Sequence, residues 1–329
     1  MRAIRFHELG EPEVLRLEDV PEPEVRPGQV LIAVHAAGIN YADTRRRRGL
    51  YLEDSPLPFT LGAEVAGVIA RVGEGVTGWK TGDRVMATTN DGGYAEYVSV
   101  SARALLPIPD GISFAEAAAF PVQGLTAFHL LRTSGRMQPG ESVLIHSAAG
   151  GVGTLAVQLA RLLGAGTIYA TASTPEKLAL ARSLGADVLV NYAEPGWGER
   201  IREHTRAQGK RGVDVILEAV GGEVFDESLR LLAPFGRLVV FGVAGAQTPQ
   251  LSPVQLMKRC QEVVGFYLPP LLGRPDLLLP SIGELAGSLQ SGKLRLIVGE
   301  TWPLAQAAEA HRRIEARQTV GKVVLVVRE

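Results

Sequence analysis

Cysteine is almost absent from this chain: Cys260 is the one thiol in 329 residues. No intrachain disulfide can form, which fits a reducing compartment, and a cytoplasmic location is the expectation. Long apolar runs are missing too. None approaches the ~20 residues a membrane helix needs, so no membrane partner is expected. The opening MRAIRFHELGEPEVL is charged and lacks the apolar core of about 7–15 residues found in a secretory signal. Neither sign of charge dominates. With 34 basic and 35 acidic side chains the net charge is −1, so nothing global favours nucleic acid or an acidic membrane surface. Lysine is scarce, six against 28 arginines, a bias that identifies no function. No Ser–His–Asp or Cys–His set stands out, so a hydrolase has no constellation to support it. Internal repeats, low-complexity tracts and long linkers are also lacking.

What is present is a glycine turn in the right company. In VLIHSAAGGVG, Val143–Ile145 reads as a buried strand and Val152–Leu163 as a helix with Leu155, Leu159, Leu162 and Leu163 on its apolar side. Between them Ala148, Gly150 and Gly153 form A-x-G-x-x-G, a dinucleotide fingerprint with alanine in the first glycine position. A second strand, Thr167–Thr171, completes a βαβ unit in about 30 residues. Glycines let backbone pass close to a pyrophosphate, and the helix N-terminus offers it free N–H groups and a positive dipole end. Ala148, Gly150, Gly151, Val152 and Gly153 are therefore expected to bind a nucleotide. An ordinary tight strand-to-helix turn is the plainer reading.

A chain of 329 residues suggests two domains. Residues 1–120 read as β-rich, with strands at Ala3–Phe6, Leu15–Val20, Val30–Ala37, Glu64–Val72, Asp83–Ala87 and Tyr94–Val100. From 121 to 269 strands and helices alternate. The strands are Val143–His146, Thr167–Thr171, Val188–Val190, Val213–Glu218, Leu238–Val243 and Val263–Tyr267, which predicts a doubly wound parallel sheet. After 270 come helices Asp276–Gln290 and Leu304–Ala316 and a strand, Lys322–Val327. This tail is too short for a third domain, and residues 270–329 are expected to return to the first.

Several landmarks run in order along nearly the whole chain: AGINYAD, LGAEVAGVIARVGEGV, GDRV, GGYAEY, GLTA, the SAAGGVG turn, LGAD with VNY, and PLAQAAEAH…GKVVL. The chain resembles the medium-chain dehydrogenase/reductase superfamily, and within it the zinc-free NADPH:quinone reductases of the zeta-crystallin-like branch. The resemblance implies an α/β protein with a Rossmann doubly wound parallel sheet, residues 121–269. It implies a β-rich GroES-like catalytic domain of residues 1–120 and 270–329, an active site in the cleft between the two, and a homodimer or homotetramer. Zinc-dependent relatives carry a cysteine ligand where this chain has Asn40, and a histidine where Ala63 precedes the retained Glu64. Zinc needs about four N, S or O ligands. With Cys260 far away and no histidine cluster, no metal is expected. Without a Lewis acid the substrate has to accept hydride unaided, which suits a quinone or an activated enone, and hydrogen-bond donors have to stabilise the charge that develops.

The resemblance gives Asn40 an active-site role, its amide donating to the substrate oxygen; a turn-stabilising asparagine is the alternative. Asp43 orients local structure or a proton path, or caps a helix start. Tyr51 contacts the quinone, or is a half-buried loop tyrosine. Thr126, in GLTA, lies near the nicotinamide in relatives, or sits inside a helix. Gly242 lets backbone approach the nicotinamide side, or marks a strand-end turn. The Arg45–Arg48 run is a solvated face or steers anions. His146 is expected to serve structure or phosphate contact, and His129 and His311 packing or surface.

The end of the second Rossmann strand decides the nicotinamide. NAD enzymes place an acid there for the ribose hydroxyls. This chain reads TASTPEK, with Ser173 and Thr174 in its place, Lys177 within reach and Tyr192 matching a family tyrosine. No carboxylate there repels a 2′-phosphate, so NADPH is the expected cofactor. The expected function is NADPH-dependent, zinc-independent quinone reduction. An enoyl or alkenal reductase, or a low-turnover NADPH-binding, RNA-binding crystallin-like protein, are the alternatives.

Overall fold

The computed structural model describes residues 1–245 and 250–328. It divides into two compact units, Met1–Val122 with Leu296–Glu329, and Gln123–Arg295.

The first unit opens with β1 (Arg2–Phe6), β2 (Arg16–Asp19), β3 (Gln29–Ile39) and a helix, α1 (Tyr41–Arg47). Strands β4 (Phe59–Thr60), β5 (Glu64–Val72), β6 (Arg84–Thr88), β7 (Tyr97–Ser101) and β8 (Leu105–Pro107) follow, then the short helix α2 (Phe114–Ala117). β3 is apolar almost throughout, QVLIAVHAAGI, because it pairs antiparallel with β5 and β7 and buries both faces. Val30, Ile32, Val34, Val65, Ile69 and Phe6 are core residues of this unit. Ser113 caps α2, its hydroxyl accepting from the Glu116 N–H while Glu116 accepts from the Ser113 N–H, a reciprocal capping box.

The second unit begins within α3 (Pro121–His129), at Gln123, and carries β9 (Ser142–Ile145), α4 (Gly151–Leu162), β10 (Thr167–Ala172), α5 (Pro175–Ser183) and β11 (Val188–Asn191). Then come α6 (Trp197–Ala207), β12 (Val213–Glu218), α7 (Gly222–Leu231), β13 (Leu232–Val240), α8 (Pro253–Met257), β14 (Glu262–Gly265), α9 (Leu268–Leu272) and α10 (Pro275–Gln290). The six strands are parallel, in the order β11-β10-β9-β12-β13-β14. This is the doubly wound sheet expected from the sequence, and its direction of winding reverses between β9 and β12, where such sheets bind nucleotides. Leu144, Ile216, Leu238 and Phe225 lie in its core. Buried His146, at the end of β9, ties this point together: Nδ1 bonds the Thr171 hydroxyl of β10 at 2.8 Å and Nε2 the Ser228 hydroxyl of α7 at 2.8 Å.

The chain returns to the first unit with β15 (Val298–Pro303), helix α11 (Ala307–Glu315) and β16 (Lys322–Val326). β16 lies between β15 and β3, so the last strand joins the sheet that β3 began, while β1, β2 and β4 form a separate three-stranded sheet.

The return comes later than the expected residue 270. α10 belongs to the second unit because His129 Nε2 of α3 bonds Ser281 Oγ at 3.0 Å and Arg132 pairs with Glu284 at 3.6 Å. Gln158 of α4 holds the chain there to its last residue, donating to the Arg295 carbonyl at 3.1 Å and accepting from its N–H at 2.8 Å. Strand β15 and helix α1 were not among the expected elements.

Candidate active site

The glycine turn of the second unit is built as its spacing suggests. The Gly150 N–H closes a tight turn on the Ser147 carbonyl at 2.9 Å, and the Ala148 N–H donates to the Thr171 carbonyl of β10 at 3.0 Å. Alanine is tolerated at the first fingerprint position because the left-handed conformation falls one residue earlier, on Ser147 (φ 50°). Gly150 is the extended N-cap of α4, and Gly150, Gly151 and Val152 are partly exposed. The first N–H groups of a helix have no intrahelical partner and present a positive dipole end. Gly153 is needed for close packing: a Cβ there would stand 2.3 Å from the Ser147 carbonyl oxygen and 2.7 Å from the Ala148 Cα. This cradle fits a pyrophosphate.

Ser173 follows the last residue of β10, and the Tyr192 N–H donates to the Ala172 carbonyl at 3.2 Å, so Ser173 and Tyr192 stand side by side past the strand ends. Thr174 caps α5 by accepting from the Lys177 N–H at 3.4 Å, which sets half-buried Lys177 in the first turn beside them. The three residues expected at a 2′-phosphate are thus brought together. Gly242, past β13, lies against Ala219, where a Cβ would come within 3.3 Å of the alanine side chain. The segment is fastened by Ala244 N–H to the Ala219 carbonyl (2.8 Å) and Gly245 N–H to the Val220 carbonyl (2.7 Å). Beneath it Glu218 Oε1 accepts from the Val220 and Gly221 N–H groups at 2.6 and 2.9 Å, and burial holds its carboxyl above the usual range. Thr126 is buried on α3.

In the first unit, Asn40 belongs to a buried polar cluster. It is the N-cap residue of α1, and its backbone N–H donates to Asp43 Oδ2 at 2.8 Å. Its Nδ2 donates to Glu64 Oε1 at 3.0 Å, and its Oδ1 accepts from Lys322 Nζ at 2.9 Å. Lys322 and Glu64 form a direct ion pair, both fully buried, and Glu64 Oε2 accepts from the Val122 N–H at 2.9 Å. Asp43 Oδ2 also accepts from the Tyr94 hydroxyl at 2.9 Å. Burial pushes the Asp43 carboxyl up to about 6, against the pull of these two hydrogen bonds. Beyond Tyr94, His311 Nε2 lies 3.3 Å from the same hydroxyl. Since that hydroxyl donates to Asp43, the proton of this neutral imidazole sits on Nε2. Asp43 is therefore the cap of α1 and the centre of a polar chain. His311 is a packing residue, as expected.

Tyr51 is half-buried, with the Arg46 guanidinium 5.4 Å above its ring. The arginine run is not one solvated face. Arg46 also lies over Phe59 at 4.8 Å, Arg47 is fully buried against Glu315 (2.7 Å) and the Gly10 carbonyl (3.1 Å), and Arg48 is exposed beside Glu11. Lys322, Tyr94 and His311 were not singled out as site residues. A lysine opening the apolar run KVVLV is the one sequence signal that was available, since lysine is almost never fully buried unless paired. Among the described residues no three or more His, Cys, Asp or Glu side chains group as metal ligands.

Two outcomes follow from this geometry. Burial holds His129 at about 4 and His146 and His311 at about 3, below the unfolded value of 6.5. Their contribution is complete above pH 6.5 and is lost as pH falls toward 3, at about 1.4 kcal/mol per unit of depression. Asp43, raised above its unfolded 3.8, acts oppositely: its contribution is lost as pH rises through about 6. Three histidines outweigh one aspartate, so the melting temperature falls as pH is lowered from 6.5 to 4; a flat or rising profile contradicts the assignment. At the turn, Gly153→Ala drives a Cβ into backbone and lowers stability by about 1–3 kcal/mol. Gly150→Ala meets only the Ser147 oxygen at 3.3 Å and leaves the melting temperature close to wild type. Equal effects of the two in thermal melts would contradict this reading.

Comparison with known proteins agrees with both halves of the chain. Residues 26–110 match the alcohol dehydrogenase GroES-like domain and residues 151–274 the zinc-binding dehydrogenase domain. Quinone oxidoreductase of Pseudomonas aeruginosa is 38% identical, with 99% of each chain covered. The solved structure of Escherichia coli quinone oxidoreductase complexed with NADPH is similar at a TM-score of 0.92 and 33% identity, over 99% of this chain and 100% of that one. That of the Thermus thermophilus quinone oxidoreductase, also solved as a complex with NADPH, is similar at a TM-score of 0.86 and 43% identity, over 99% and 100%. With two domain models matched in order and full-length likeness above 30% identity, the chain belongs to the quinone oxidoreductase branch of the medium-chain dehydrogenase/reductase superfamily.

Proposed function

We propose that this protein is an NADPH-dependent quinone reductase that needs no metal. The observation that carries the reading is what stands where zinc-dependent relatives hold a ligand: the amide of Asn40, fastened by Glu64 and Lys322. A hydrogen-bond donor there stabilises negative charge developing on a substrate oxygen, and one such donor is worth roughly 10²–10³ in rate. A conjugated dione spreads that charge over its ring and asks for no Lewis acid. NADPH, when bound, supplies the hydride.

The Ala148–Gly153 turn receives the pyrophosphate, with Gly150, Gly151 and Val152 presenting N–H groups. Ser173, Lys177 and Tyr192 receive the 2′-phosphate, which no carboxylate at the end of β10 repels. Thr126 and Gly242 serve the nicotinamide end, Gly242 resting on the segment that Glu218 fastens. Asp43 keeps Asn40 in place through its backbone N–H and is a positioning residue. Tyr51 offers its hydroxyl to the substrate, one ring face being taken by Arg46. Protons come from solvent or a bound water. The open edge strand β14 is the natural surface for a homodimer. No described helix is long and apolar enough to cross a membrane, and the proposed location is the cytoplasm.

The cofactor assignment is tested by kinetics with both nicotinamides. Lys177→Ala raises KM for NADPH about tenfold and leaves that for NADH nearly unchanged. Ser173→Asp shifts preference toward NADH by putting a carboxylate beside the phosphate. Equal effects on the two cofactors contradict the 2′-phosphate site. Turnover followed at 340 nm with 9,10-phenanthrenequinone and with a simple enone tests the acceptor. Faster reduction of the enone would move the assignment to an alkenal reductase.

A further inference from the structure

We infer that Lys322 and Glu64 are positioning residues that fix which way round the Asn40 amide sits, and so direct its remaining N–H to the substrate oxygen. This deepens the reading of Asn40 as the donor and rests on it.

A primary amide has an acceptor oxygen and a nitrogen with two N–H groups, nearly equal in shape. Packing alone does not choose between its two orientations. Here charge chooses. Lys322 Nζ stands 2.9 Å from Oδ1 and Glu64 Oε1 stands 3.0 Å from Nδ2. Turning the amide over would set N–H against the ammonium and C=O against the carboxylate, two repulsive contacts in place of two hydrogen bonds. Lys322 is 1% exposed and Glu64 fully buried, so solvent screens neither contact. The ion pair and the Val122 N–H on Glu64 Oε2 keep both partners from turning away.

The strand backbone is shaped to admit this arrangement. A Cβ at Gly38 would lie 2.3 Å from the Ala118 carbonyl oxygen, 2.6 Å from Lys322 Cε and 2.9 Å from Glu64 Cγ. The lysine stem therefore runs through space that only glycine leaves open. With one N–H on Glu64, the second N–H of Asn40 has no partner among the described residues. At 9% Asn40 is also the most exposed member of the cluster. A donor already oriented needs no reorganisation as charge develops, which is where such groups gain their effect. An amide free to turn over presents its oxygen to the substrate part of the time.

The test compares Asn40→Ala, the paired variant Glu64→Gln/Lys322→Met, and the triple variant. Replacing both members of the ion pair leaves no buried charge uncompensated. NADPH oxidation with 9,10-phenanthrenequinone gives kcat and KM, and nicotinamide fluorescence gives NADPH affinity. The expected result is a loss in kcat of about 10²- to 10³-fold for Asn40→Ala and of about 10-fold or more for the paired variant, with NADPH affinity retained. The triple variant is no slower than Asn40→Ala, because a lock has nothing to hold once the amide is gone. If Asn40→Ala is slow while the paired variant keeps wild-type kcat, the lock is overturned and the donor stands. If the losses multiply in the triple variant, the pair acts independently of Asn40 and the lock is again overturned. Full activity in Asn40→Ala removes the donor itself. Should the paired variant fail to fold, Glu64→Gln alone, which keeps the volume and an acceptor for Val122, is expected to show a smaller loss in kcat, absent in the Asn40→Ala background; persistence of the loss there overturns the lock.

Discussion

Lys322 and Glu64 are 258 residues apart in sequence and in direct contact in the first unit, both buried away from bulk solvent. Two buried ions are costly to remove from solvent, and each is tolerable only because the other is there. That requirement reaches outward. The end of the chain has to come back beside β3, which it does as β16. Position 38 has to be glycine, since any side chain meets the lysine stem. Asn40, touching both ions, is left with a single orientation. A strand-end asparagine that elsewhere would only steady a turn becomes a fixed hydrogen-bond donor.

The second unit solves a different problem with backbone rather than charge. The glycine turn proposed to receive the phosphates depends on the close approach of Gly153 to the Ser147–Ala148 peptide, on a left-handed residue at Ser147, and on the anchoring of Ala148 to β10. Buried His146 locks β9, β10 and α7 around that turn while staying neutral. Ser173 and Tyr192, set side by side by two neighbouring strand ends, and Lys177 in the next helical turn are the residues proposed to select for the outer phosphate.

What sequence could reveal follows the range of the interactions. The glycine turn was legible because strand, turn, helix and next strand are contiguous, and so were the six parallel strands with their helices. The placement of Ser173 and Lys177 just past β10 was legible too, since both sit at fixed offsets from the turn. The return to the first unit was read too early because α10, though legible as a helix, is anchored to His129, 152 residues away. β15, VGETWP, was missed because its alternating half-exposed pattern has no apolar run. The distant partners of Asn40 and Asp43 come from β5, β16 and the segment before β7, with His311 of α11 behind Tyr94, at separations no local pattern encodes. The arginine run misled for the same reason: whether Arg47 is solvated depends on Glu315.

The central claim is that Asn40 and its charged neighbours take the place of a metal in this branch of the superfamily. Its most direct test is the rate of quinone-dependent NADPH oxidation by protein stripped with EDTA, with zinc measured by elemental analysis on the same sample. The account predicts undiminished turnover at substoichiometric zinc, and no gain when zinc is added back. Loss of turnover on chelation, restored by zinc, would contradict it.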